Sequence, residues 1–156
     1  MRQFQHILNK VLELSLVILM SVLVLDVLWQ VFSRYLLSSP SSFTDELAGF
    51  LLIWVGVLGA AYVAGRKEHL AIDILIQRSP PARQRFLLYL IHSLIFLFAL
   101  SVMVTGGFIL VYSRFVLQVK SAALQLPLGF VYIVLPISGL IIMFYEVFHM
   151  LNLKRS

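Results

Sequence analysis

The stretch TDELAGFLLIWVGVLGAAYVAGRKEHLAID, Thr44 to Asp73, decides the fold. Two adjacent carboxylates, Asp45 and Glu46, open an apolar run that stays uncharged until Arg66, Lys67, Glu68 and His69 end it. As a helix rising about 1.5 Å per residue, Leu47 to Ala64 nearly crosses a hydrocarbon layer roughly 30 Å thick. Three further runs are long and mostly apolar: Val11 to Val31, Phe86 to Tyr112 and Leu128 to Leu151. The expected fold is therefore an all-α membrane protein, with residues 1–156 forming one integral membrane domain of four transmembrane helices. The third run exceeds what a bilayer requires, so its helix should tilt or project.

Composition agrees. Of the 156 residues, 61% are hydrophobic and 12% charged, and mean hydropathy is +0.98. A soluble domain carries about a quarter charged residues. The net charge of +5 invites a nucleic-acid reading, but such a binder gathers its basic residues on a solvated patch. Here they fall between apolar runs, and no nucleic-acid partner is expected. The absence of cysteine excludes disulfides and thiolate metal sites.

Nine of the 12 Lys and Arg residues lie in the N-terminal segment, the loop between the second and third spans, or the C-terminal segment. Only Arg34, Arg114 and Lys120 lie on the other side. By the positive-inside rule both termini should face the cytoplasm. Arg2 and Lys10 ahead of an apolar run mimic a signal peptide, but the run ends in LDVLWQVFSRY without a small-x-small cleavage site. A retained first helix is expected.

In the first outer loop, SSPSSFTDE, Ser42 or Thr44 suits a helix cap, and Asp45 and Glu46 suit the positive end of the helix dipole. Along the second span Gly56, Ala60 and Ala64 recur at intervals of four, with Gly59 beside them and Ala61 and Gly65 on a second track. Such small residues let another helix approach closely in lipid, from this chain or another. In the inner loop Leu70, Ala71, Ile74 and Leu75 share one helical side, and His69, Asp73 and Gln77 form a polar stripe. This predicts a short interfacial amphipathic helix over 70–77, ended by Ser79-Pro80-Pro81. The outer loop SRFVLQVKSAALQLP should rest on the bilayer surface or a partner. Pro127 suits the start of the fourth helix, and Pro136 a kink within it.

Ionisable residues inside spans are costly and become functional candidates by default. Glu13, Glu146, Lys10, His92 and His149 can gather in the cytoplasmic leaflet, explained by snorkelling and local pairing. Asp26, Gln30 and Arg34 recur at intervals of four on the first helix, near its outer end. This stripe is either self-satisfied through Gln30 or meets a partner. Together with Asp45 and Glu46 it forms an outer polar group, in which the Arg34 fork suits the Glu46 or Asp26 carboxylate. Nothing near the bilayer midplane is charged, as a stand-alone coupled carrier would require. No phosphate-cradling loop, paired-His motif or nucleophile elbow occurs, and the four histidines are scattered. No enzyme activity, cofactor or metal is expected.

FSRYLL (32–37), TDELAGFLLIWVGVLGAA (44–61), EHLAIDIL (68–75) and LQLPLGFVYIVLPISGL (124–140) together resemble the small DctQ-like membrane subunit of tripartite ATP-independent periplasmic (TRAP) transporters. The matching positions are Arg34, Tyr35, Glu46, Trp54, Gly59, Ala60, His69, Asp73, Ser121, Pro127, Tyr132 and Pro136. Phe43 departs from the family's Trp, and Gly49 from its common basic residue. The resemblance implies a non-transporting subunit that braces and anchors a large membrane subunit. In this family the large subunit imports an organic acid with a sodium gradient, and a periplasmic binding protein delivers it. The resemblance also implies a bacterial inner membrane, whose lipids complete the expected surroundings. Two other readings stand beside it. A small proton-coupled four-helix exporter would use Glu13, which lies near the inner surface. A membrane enzyme would need His69, Asp73, His92 and Glu146 to converge. The transported substrate would be selected by the other chains.

Overall fold

The computed structural model describes residues 2–36, 42–66 and 80–153. Helix α1 (Arg2–Leu36) is followed by α2 (Ser42–Arg66). The third span is α3 (Pro81–Phe98), a π-helical segment (Ala99–Gly106) and α4 (Gly107–Val116). The fourth is α5 (Leu128–Tyr132) and α6 (Val134–Leu153). Each of the four spans is long and apolar enough to cross a membrane. The interfacial helix expected over 70–77, with His69 and Asp73, lies outside the described residues.

The helices outrun the apolar runs that encode them. Arg83–Val116 alone covers 34 residues, about 51 Å of helix against roughly 30 Å of hydrocarbon. The spans pack side by side in the order first, second, fourth, third. The fourth is therefore central, with 44% of its most apolar window buried against 11% for the first. Lipid-facing spans keep apolar residues on their outer surfaces, so α1 exposes Leu14, Val17, Leu25, Leu28 and Trp29.

Two small cores join the spans. One gathers Ala61 and Ala64 of α2, Ala99 and Met103 of the π segment, and Ile142 of α6. The other joins Leu12, Leu58, Val134 and Tyr145. The third and fourth spans approach so closely that a Cβ on Gly139 would lie 2.8 Å from Met103 Cβ and 3.2 Å from the Val104 nitrogen. The π segment carries its own signature, the Thr105 hydroxyl donating to the Leu100 carbonyl five residues back at 2.9 Å. Across from it, the fourth span breaks at Ile133. The Pro136 ring cannot coexist with a helical carbonyl four residues earlier, at Tyr132, where α5 ends. The kink expected at Pro136 thus falls one turn upstream, while Pro127 directly precedes α5 in an extended conformation (φ −61°, ψ 120°).

Candidate functional site

Residues 117–127 mark one end of the bundle, here the loop end; Arg2, Arg66, Pro80 and Leu153 mark the terminal end. The loop folds on itself without a glycine. Gln118 and Gln125 take positive φ values of 49° and 54°. The Ser121 amide donates to the Leu126 carbonyl at 2.9 Å, and the Leu128 amide to the Val119 carbonyl at 2.9 Å. The amides of Ala122, Ala123 and Leu124 consequently converge on one point.

Glu46 fills that point. Its carboxylate accepts from Ala122 N–H at 2.7 Å, Ala123 N–H at 3.0 Å and Leu124 N–H at 2.8 Å. Successive amides arranged in this way form an anion-binding concavity, here occupied by the chain's own side chain. The helix begins at Ser42, which puts Thr44, Asp45 and Glu46 in or just past its first turn. Glu46 is therefore a clasp between the second span and the distant loop. Asp45 accepts a hydrogen bond from the Gln30 side-chain amide of α1.

The other members of the outer polar group lie close by, with different partners from those anticipated. Asp26 is buried, and its Oδ2 has no hydrogen-bond partner among the described residues. Gln30 turns to Asp45 instead of bridging Asp26 and Arg34. The Arg34 pairing with Glu46 or Asp26 is absent among the described residues: Glu46 is taken by the loop amides, and Arg34 lines an open recess with Gln30, Val31 and Tyr35. Trp54, carried by the resemblance without a role, donates its indole N–H to the Val131 carbonyl at 3.0 Å, two residues before the break in the fourth span.

The small residues of α2 divide by face. Ala61 and Ala64 are buried, and a Cβ on Gly65 would lie 2.7 Å from the Tyr145 ring and 2.8 Å from Asn9. Gly56 and Ala60 are exposed, and a Cβ on Gly56 or Gly59 would meet nothing within 4 Å. Of the two tracks, then, the second packs within this chain while Gly56, Gly59 and Ala60 do not.

Near the terminal end the mixed cluster of five resolves into three. His92, Glu146 and His149 are all buried, at 8%, 0% and 2% exposure, whereas Lys10 and Glu13 are exposed. His92 Nδ1 lies 2.5 Å from Glu146 Oε2. Histidines that look scattered in the sequence thus meet in space, with ring centroids 5.6 Å apart. Glu13, the acid on which a proton-coupled exporter would depend, lies on the exposed side of α1 and takes no part in this cluster.

Four apolar spans, a carboxylate-clasped loop and an uncovered small-residue face define a helical membrane component built around packing rather than chemistry. Residues 8–155 match the family of tripartite ATP-independent periplasmic transporters, DctQ component, and the chain belongs to that family. It is 28% identical over 144 residues, 91% of this chain and 86% of the relative, to a Haemophilus influenzae protein provisionally named a TRAP transporter small permease protein. It is 30% identical over 80 residues, 51% of this chain and 46% of the relative, to the sialic acid TRAP transporter small permease protein SiaQ of Vibrio cholerae. A 67-residue stretch, 43% of this chain, is 33% identical to part of the sialic acid TRAP transporter permease protein SiaT of Haemophilus influenzae, covering 11% of it. This chain is a multi-pass transporter subunit, the small permease of a TRAP system, and not an enzyme.

Proposed function

We propose that this subunit braces and anchors a large permease, which imports an organic acid using a sodium gradient and a periplasmic binding protein. The observation that carries this reading is the commitment of its polar groups. Glu46 holds the chain's own loop and Asp45 holds Gln30, so these two carboxylates serve packing between elements of this chain. The face bearing Gly56, Gly59 and Ala60 then suits a helix of the large subunit, and the exposed apolar surfaces suit membrane lipids. The likeness to a stretch of the much longer SiaT supports small and large parts working side by side. Membership of a periplasmic transporter family supports an inner-membrane location, and the distribution of Lys and Arg supports an orientation with both termini and the segment carrying His69 and Asp73 in the cytoplasm.

Reconstitution tests the division of labour. Vesicles holding this chain alone should show no sodium- or proton-dependent uptake of an organic acid, and uptake should appear with the large permease and binding protein. Coupled uptake by this chain alone would overturn the proposal. Reporter fusions after Arg34 and Lys120 should be periplasmic and one after Arg78 cytoplasmic; the reverse pattern rejects the orientation.

A further inference from the structure

We propose that His92, Glu146 and His149 form a binding site for one divalent transition-metal ion of zinc's chemical class. Glu146 and His149 lie three residues apart on α6, and His92 faces them from α3. A Glu-x-x-His pair completed by a residue of a neighbouring helix is a recurrent way of placing metal ligands inside a helical bundle. One ligand atom from each residue lies within 4.8 Å of the others. A tetrahedral zinc ion with bonds of about 2.0–2.1 Å separates its ligands by roughly 3.3 Å. Small side-chain movements therefore close the site. The 2.5 Å contact between His92 Nδ1 and Glu146 Oε2 must open slightly to admit the ion.

A hydrogen-bonded His–Glu pair alone accounts for only part of the cluster. Glu146 Oε1 is buried and has no hydrogen-bond partner among the described residues, which is costly for a carboxylate oxygen. A cation ligated by the carboxylate and the two imidazoles, with a water in the fourth position, offsets that cost. Two imidazoles and one carboxylate are the mixed nitrogen–oxygen set that zinc and its neighbours accept, and magnesium or calcium would favour more oxygen ligands. Glu146 lies seven residues before the end of α6 at Leu153, about 10 Å along the helix, so an ion could enter from the terminal end. Once bound, it would cross-link the third and fourth spans.

The test uses the full chain in detergent, stripped with a chelator and then titrated with zinc or cobalt(II). Wild type should retain about one zinc per chain and give the visible cobalt spectrum of a four-coordinate nitrogen–oxygen site. His92→Asn, Glu146→Gln and His149→Asn should each weaken cobalt binding by at least about 100-fold, beyond what outer-shell changes cause. His6→Asn and His69→Asn should leave it unchanged. Far-UV circular dichroism establishes that each variant is folded, and the wild-type cobalt spectrum decides the matter should a variant not fold. Wild type without stoichiometric metal, or with only a six-coordinate cobalt spectrum, overturns the proposal. So does metal loss that follows His6 or His69, or folded cluster variants that bind as well as wild type.

Discussion

At the scale of single residues, the clasp at Glu46 has the clearest consequence. Glu46→Gln places an amide NH2 where one carboxylate oxygen receives backbone N–H groups, so part of the clasp becomes repulsive. Hydrogen exchange at Ala122, Ala123 and Leu124 should accelerate in that variant, while Arg34→Ala should leave those amides protected. Mass-spectrometric exchange on the purified chain checks the ranking, which is the reverse of what charge pairing alone suggests. Trp54→Phe keeps an aromatic ring but removes the donor to Val131, and should cost about 0.5–1.5 kcal/mol of stability in denaturant titration. The sequence makes Glu46 conspicuous as an acid at the start of an apolar helix. It does not reveal the acceptor's destination, because three backbone amides carry no side-chain signature and the turns at Gln118 and Gln125 lack the Gly or Asn that usually marks positive φ.

At the scale of elements, glycines on different faces should respond with opposite sign. Gly139→Ala forces a Cβ against Met103 and the Val104 backbone, and overpacking of this kind costs about 1–3 kcal/mol. Gly56→Ala meets open space, and replacing an interior helical glycine there should be neutral or stabilising by up to about 1 kcal/mol. Melting of both variants in detergent measures the difference. The four spans were legible because long, predominantly apolar runs with few charges match the length a membrane helix needs, and Pro136 announced a distortion nearby. The π segment was not legible: ALSVMVTG contains no proline and reads as an ordinary stretch of apolar helix.

At the scale of the whole molecule, surfaces left uncovered separate folding from assembly. The paired change Gly56→Leu with Ala60→Leu should leave the melting of the isolated chain nearly unchanged, yet reduce its co-purification with the large permease. Equal recovery of the complex would move the docking face elsewhere, with the exposed apolar side of α1 the next surface to test. Sequence spacing alone grouped Gly56, Ala60 and Ala64 together. Only the packing of the fourth span between the second and third distinguishes the buried Ala64 from the exposed Gly56 and Ala60. Likewise, His92 lies more than fifty residues from Glu146 and their meeting depends on the placement of whole helices.

The clasp also sets a timetable for biosynthesis. Glu46 leaves the ribosome 76 to 78 residues ahead of the amides that receive it. At about 5–20 residues per second, the carboxylate waits roughly 4–15 s before its acceptors are even synthesised. In that interval the first two helices can associate, with Gln30 already able to reach Asp45, while Glu46 stays hydrated. A ribosome stalled within the third span would therefore hold a nascent hairpin of helices whose far surface is still unfinished, and completion of that surface must follow synthesis of the loop that leads into the fourth helix.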